Sequence, residues 1–263
     1  EFEPDAIHLA TEGPLGLAAR QHCLARGRAF TTAFHTRFPE YLTSRRLPVP
    51  LAWSYGILRW FHAPSSAVMV ATARLAGDLG ARGFRRLRLW TRGVDAELFR
   101  PRDKSFLDAP RPIALSVGRV AVEKNLEPFL RLEMPGTKYV VGDGPQLAAL
   151  RRRYPEVRFV GYKQGEELAR YYAAADVFVF PSRTDTFGLV LLESLAAGVP
   201  VAAYPAPGPL DVIGASGVGC LDEDLGRAVR GALRIPGEAC RAYALGFSWR
   251  ASAEQFAEIA IAA

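Results

Sequence analysis

The chain has 263 residues, 49% of them hydrophobic and 23% charged, a composition that excludes disordered, collagenous and fibrous classes and allows one large or two modest domains. No apolar run reaches the roughly 18 residues that a membrane-crossing helix needs, and the three cysteines, Cys23, Cys220 and Cys240, fit neither a zinc spacing nor a disulfide framework and read as reduced apolar fillers. The net charge of +6 lies entirely in residues 1–108, which hold 16 Lys and Arg against 10 Asp and Glu, while residues 109–263 hold 17 of each.

Such asymmetry points to an anionic partner of the first part (an acidic lipid surface, a phosphorylated acceptor or nucleic acid) or to arginines on solvated helix faces. The opening Glu1-Phe2-Glu3-Pro4 has no initiator Met and no basic-then-apolar leader pattern. Residues upstream are therefore expected to be missing, and the expected location is the cytoplasm.

Taken in chain order, residues 5–10 read as a short strand and 15–26 as a helix. Strand 30–34 follows, then helix 50–62, strand 67–71, a helix that Thr72 is placed to cap, and strand 87–90. Residues 95–112, with Pro101, Pro110 and Pro112 among charges, read as a linker. Strands then fall at 113–117, 139–141, 158–160, 177–180 and 201–203, each apolar on both faces. Helices lie near 125–133, 146–154, 165–175, 187–197 and 222–234. Buried strands joined by helices predict a parallel, doubly wound α/β sheet whose ligands bind beyond the carboxyl ends of the strands. The expected domains are 1–100 and 101–248, followed by a final helix over 249–263.

Two of the loops at those strand ends carry chemistry. After strand 113–117, Gly118 allows a sharp turn, and Arg119 and Lys124 follow just before a helix. A guanidinium, an ammonium and free helix N–H groups in one place make a diphosphate site. After strand 177–180, Asp185 precedes the predicted helix and Glu193 lies two turns into it, a separation of roughly 12 Å at 1.5 Å per residue. The two carboxylates suit two sugar rings at either end of a diphosphate. They also suit an N-cap at Asp185 and a buried ion-pair partner at Glu193.

The ordered series of Gly118-Arg119 with Lys124-Asn125, Gly142-Asp143-Gly144-Pro145, Asp176 through Ser182, and an acid seven residues ahead of Glu193 with Gly198-Val199-Pro200 beyond it resembles glycosyltransferase family 4. Arg92-Gly93-Val94-Asp95 with Phe99 and Pro101 is similar to that family's interdomain segment, and the helix opening Trp249-Arg250-Ala251-Ser252 resembles its C-terminal helix that crosses back to the first domain, so 249–263 would join 1–100. The resemblance implies the GT-B fold, two Rossmann-like doubly wound domains facing across a cleft, with the N-terminal one incomplete here. It implies that Arg119 and Lys124 hold the donor diphosphate, Glu193 the ribose and Asp185 the transferred sugar. Backbone groups of Thr186, Phe187, Gly188 and Leu189 would assist Asp185, and Gly142, Gly144, Val160, Gly161 and Tyr162 would wall the base. His35, after Phe34 and before Thr36, matches the segment that sets a His beside the sugar and is the catalytic candidate with Asp185. The implied activity is retaining, needs no metal or other cofactor, and moves sugar from a UDP- or GDP-sugar to a lipid or glycan acceptor; no nucleic acid is expected. Asp185 stands where the family usually has Glu.

Other readings stay open at this stage. The chain could be a non-catalytic nucleotide-sugar-binding fragment or a sugar-nucleotide epimerase of the same fold. Asp222-Glu223-Asp224 has the spacing of a metal motif but precedes a helix, where acids are favoured anyway. His8 reads as a groove-lining or satisfied core residue, and His62 as helix packing. Residues 82–90 interleave arginines with apolar side chains, as a surface coil or as a contact with the inner face of an acidic membrane.

Overall fold

The computed structural model describes residues 3–40, 49–185 and 187–262. The chain divides into two compact units, one from Glu1–Arg92 together with Arg250–Ala263, the other Gly93–Trp249.

The first unit is built on four parallel strands in spatial order β1-β2-β3-β4: β1 (His8–Leu9), β2 (Thr31–Phe34), β3 (Ala67–Val70) and β4 (Leu87–Leu89). The crossovers carry α1 (Pro14–Ala25), α2 (Leu51–His62) and α3 (Ala73–Ala81). Side chains alternate across a strand, and the two cores follow that alternation. Phe34, Val68 and Val70 pack with Tyr55, Leu58, Leu75, Leu79 and Phe84 from α2, α3 and the turn after α3. Their neighbours Ala33, Ala67 and Met69 face Ile259 and Ala260 of the last helix, which spans Trp249–Ile261. The Thr72 hydroxyl accepts from the Leu75 N–H at 3.1 Å and caps α3, as its sequence position suggests. The strand expected over 5–10 shortens to two residues, because only His8 and Leu9 find register partners, Thr31 and Thr32.

The second unit carries six parallel strands: β5 (Ile113–Val117), β6 (Thr137–Val141), β7 (Arg158–Gly161), β8 (Val177–Phe180), β9 (Val201–Ala203) and β10 (Gly219–Leu221). Their spatial order is β10-β9-β8-β5-β6-β7. The chain enters at β5, winds outward through β6 and β7, and returns to the far side of β5 with β8. The winding reverses between β5 and β8, and at that point the loops leaving the two strands diverge and open a crevice. Between the strands lie α4 (Glu127–Arg131), α5 (Leu147–Arg153), α6 (Gly165–Ala174), α7 (Leu189–Ala196) and α8 (Pro207–Val212), with α9 (Leu225–Ala232) and α10 (Gly237–Ala244) after β10; the last helix becomes α11. One sheet face is filled by Phe129, Leu130, Leu150, Val229 and Ala232. Tyr172 of α6 lies against Phe178 on the other, ring centroids 5.6 Å apart. Asp176 pins the start of this sheet, accepting from the Ile113 N–H at 2.8 Å and pairing with Lys104 and Arg111. It thereby ties the 101–112 segment to β5 and β8.

Candidate functional site

At the switch point the loops that carry Arg119, Lys124 and Asp185 lie side by side. β5 ends at Val117 and the Gly118 N–H donates to the Val141 carbonyl at 3.0 Å, so the loop turns back over β6. That loop runs through Arg119 into a 3-10 turn at Val122–Lys124, closed by Asn125 in the left-handed conformation at φ 51°. Asn125 Nδ2 donates to the Pro181 carbonyl at 3.0 Å, and the Ser182 and Thr184 hydroxyls donate to the Glu123 carbonyl at 3.4 and 3.2 Å. The loops after β5 and β8 are thus laced together, and Lys124 Nζ meets Asp185 Oδ1 at 2.5 Å. Asp185 Oδ2 is buried and makes no hydrogen bond among the described residues.

Asp185 is not a helix cap. The helix starts at Leu189, with Gly188 as its N-cap in the left-handed region at φ 83°, three residues past Asp185. Glu193 lies one turn into α7, not two, so helical rise does not set the distance between the two acids. Of the expected backbone contacts, Phe187 is buried, Gly188 forms the cap and Leu189 opens the helix; Thr186 lies outside the described residues.

Glu193 faces a separate hollow of about 540 Å³ lined by Phe99, Gly118, Arg119, Gly142, Tyr162 and Val190, among others. Arg119 also lines a narrower crevice with Lys124, Pro181 and Ser182. Its side chain is largely exposed and lies 3.9 Å from the Glu123 carboxylate. Of the residues expected to wall a base, Gly142 and Tyr162 line the Glu193 hollow, Tyr162 being 68% exposed at its rim. Gly144, Val160 and Gly161 do not line it; the Gly161 carbonyl instead accepts from the Gly142 N–H at 2.8 Å. Burial holds the Glu193 carboxyl above the ordinary carboxylate range, against the opposing effect of the Tyr172 hydroxyl, which donates to its Oε2 at 2.8 Å. Tyr172 escaped the sequence reading. The only signal for it is that a buried tyrosine hydroxyl needs a partner, and nothing in its neighbours names a carboxylate 21 residues on.

The most spacious hollow described in this unit, about 860 Å³, opens at the opposite, amino-terminal ends of the strands near Pro112, Asp176 and Pro200. Its cations are already engaged. Lys104 and Arg111 pair with Asp176, Arg102 with Glu166, and Arg241 donates to the carbonyls of Ala96, Phe99 and Ala196. Asp224 caps α9 by accepting from the Arg227 N–H at 3.0 Å, and Glu223 pairs with Arg183, so the 222–224 acids do structural work.

In the first unit, His35 sits directly after β2, and its Nδ1 lies 3.1 Å from Arg92 Nη2. Burial, then Arg92, lowers its pKa, while Glu12 opposes them. His8 bonds Thr31 through Nδ1 at 2.9 Å, stacks edge-on against Phe256 and Trp90, and is pulled down to about 4, chiefly by burial. His62 is buried between Thr32 at 2.9 Å and Glu12 at 3.2 Å.

The chain is similar to known proteins along nearly its whole length. Residues 1–98 match the family described as Glycosyltransferase Family 4, and residues 111–234 match Glycosyl transferases group 1. It is 34% identical to the sulfoquinovosyl transferase SQD2 of Arabidopsis thaliana over 81% of this chain and 45% of that protein. It is 32% identical to a GDP-mannose-dependent alpha-mannosyltransferase of Mycobacterium tuberculosis over 81% of this chain and 58% of that protein. The chain thus spans about half the length of the curated relatives it matches. Among solved structures, sucrose-phosphate synthase from Thermosynechococcus elongatus aligns with TM-score 0.77 and 26% identity over 96% of this chain and 72% of that one. Anabaena HepE in complex with UDP and glucose aligns with TM-score 0.75 and 17% identity over 95% and 76%, a likeness of fold.

Proposed function

The chain belongs to glycosyltransferase family 4, with the GT-B fold, and from that premise we propose that it moves a sugar from a UDP- or GDP-sugar to an acceptor hydroxyl with retention of configuration. The observation that carries this reading is the pairing of Lys124 with Asp185 at the switch point, with Arg119 lining both the crevice at Lys124 and the hollow at Glu193. On this reading the diphosphate takes Lys124 from Asp185 and lies between it and Arg119. Glu193 accepts from the ribose hydroxyls. Asp185, released, accepts from a hydroxyl of the transferred sugar, its shorter side chain seating that sugar deeper than a glutamate would.

The bond from the anomeric carbon to the phosphate oxygen breaks on the face where the acceptor oxygen attaches. Negative charge grows on the departing diphosphate, and the two cations stabilise it there. The acceptor proton leaves with that oxygen. The cations take the part a metal plays elsewhere, and no cofactor is invoked.

A lipid or lipid-linked acceptor fits the first unit best. Its positive charge has a counterpart in a hollow of about 470 Å³ lined by Arg59, Arg85, Arg86 and Trp60, with no carboxylate in its lining. Alongside, α2 exposes Trp53 at 64%, Ile57 at 45% and Trp60 at 53%, spaced so that they share one helix face. This is the composition of a surface that rests on acidic lipid, and it makes the inner face of a cell membrane the proposed working place.

Calorimetric titration with UDP and GDP tests the donor site. Lys124→Ala and Glu193→Ala are each expected to weaken the preferred nucleotide by about 1.5–3 kcal/mol, the range for hydrogen bonds to charged groups. Undiminished affinity in both variants overturns the reading.

A further inference from the structure

We infer that Arg92 is a positioning residue that locks His35 in the neutral tautomer with its proton on Nε2, so that His35 enters the reaction as a hydrogen-bond donor and never as a base. The use made of that N–H rests on the sugar-transfer reading; the tautomer does not.

A guanidinium has donors only and keeps its proton in proteins. Arg92 Nη2 stands 3.1 Å from His35 Nδ1, a distance that a second N–H on Nδ1 would not tolerate. Nδ1 must therefore present its lone pair, which leaves the ring proton on Nε2. The guanidinium has little freedom to turn away. Its Nη1 donates to the carbonyls of Trp90 at 3.0 Å and Thr91 at 3.4 Å, and its Cζ lies over the Trp90 ring, 4.0 Å from the centroid.

That platform is itself fastened by α11. Trp90 Nε1 donates to the Ser252 carbonyl at 3.0 Å, the Ser252 hydroxyl donates to the Thr91 carbonyl at 2.9 Å, and both the N–H and the hydroxyl of Thr91 donate to Gln255 Oε1 at 3.0 Å. A helix some 160 residues away in sequence thus sets the ring chemistry of His35.

Charged and titratable groups that act on His35 include Arg92 beyond β4, Glu12 before α1, His62 at the end of α2 and His8 on β1. Glu12 favours an imidazolium, and its carboxylate also bonds His62. Burial and Arg92 act against the charged form. A neutral imidazole with its proton on Nε2 suits donation to an oxygen of the donor sugar or leaving group, and it cannot take the acceptor's proton there.

The test is long-range ¹⁵N–¹H correlation spectroscopy of the intact chain, with its four histidines and His35→Gln for assignment. The expected wild-type spectrum shows His35 with an unprotonated Nδ1 and its proton on Nε2, titrating below the ordinary histidine value of about 6.5. Arg92→Met should release a mixture of tautomers and move titration back toward that value, and Arg92→Lys, still a donor, should restore the Nε2–H form. An Nδ1–H tautomer in the wild type, or an unchanged spectrum in Arg92→Met, overturns the lock.

Where the wild type turns over donor, Arg92→Met is expected to lower kcat by about 10²-fold, the effect of losing one transition-state donor, with a much smaller change in donor KM. Unchanged kcat overturns the role given to the N–H. Absence of turnover in the wild type overturns the sugar-transfer reading alone, and the spectra still decide the tautomer.

Discussion

At the scale of single residues, backbone geometry separates glycines that sequence alone makes look alike. Gly142 holds φ at 143°, and a Cβ there would lie 1.9 Å from the Gly118 carbonyl oxygen, on the loop that carries Arg119. Gly77, inside α3, has open space where its Cβ would stand and no unusual φ. Gly142→Ala is therefore expected to lose about 2–4 kcal/mol, combining strain with overpacking, and Gly77→Ala to gain about 0.5–1 kcal/mol. Urea unfolding midpoints of the two variants check both signs. The same contrast marks what could be read in advance. That Arg119 and Lys124 stand on the loop leaving β5, and Glu193 on the helix after β8, was legible, because the buried strands ahead of them fix where those segments fall. Tyr172 and Glu12 were not, because each acquires its meaning from a partner 21 or 50 residues distant, Glu193 and His62. Asp185 was legible as an acid at the site but not as the counter-ion of Lys124, since the helix behind it begins later than its apolar pattern suggests.

At the scale of elements, the buried strands β5 to β9 could be read because unbroken Val, Ile and Phe runs have no alternative home than a sheet covered on both faces. The structure adds β10, α8 and α10, which sequence reasoning left out. β10 has three residues, half-exposed at the sheet edge, and too little apolar signal to announce itself. α8 opens Pro207-Gly208-Pro209, which reads as a turn, although proline in a first turn costs a helix little. α11 was expected from its likeness to a family helix, and its packing can be tested. Phe256 fills the space between Trp90 and His8, with ring centroids 5.1 and 5.0 Å away, whereas Ile261 in the same helix is 73% exposed. Phe256→Ala should cost about 3 kcal/mol and Ile261→Ala less than about 0.5 kcal/mol. Thermal melts followed by near-ultraviolet dichroism, which reports on Trp90, distinguish the two.

At the scale of the whole molecule, the division of charge is the feature the sequence stated most openly, and its use is open to a direct measurement. Sedimentation with vesicles of acidic phospholipid should carry the chain down at low salt and release it near 1 M, where the screening length falls to about 3 Å. Zwitterionic vesicles should leave it in solution, and substitution of Trp53 and Trp60 by serine should weaken capture at every salt concentration. Equal capture by both kinds of vesicle would contradict an electrostatic contact.

The two units are also threaded unequally. The Gly93–Trp249 unit is one uninterrupted stretch, and its ends run side by side, Val94 bridging to Ser248. The other is discontinuous and gains its second, shorter segment only with Arg250–Ala263. During synthesis the inserted unit is complete while the outer one still lacks the helix that covers Ala33, Ala67 and Met69. That sheet face stays bare until residues 250–263 have been made, so a chain broken off between the two segments would hold a finished inserted unit beside an outer one without its covering helix.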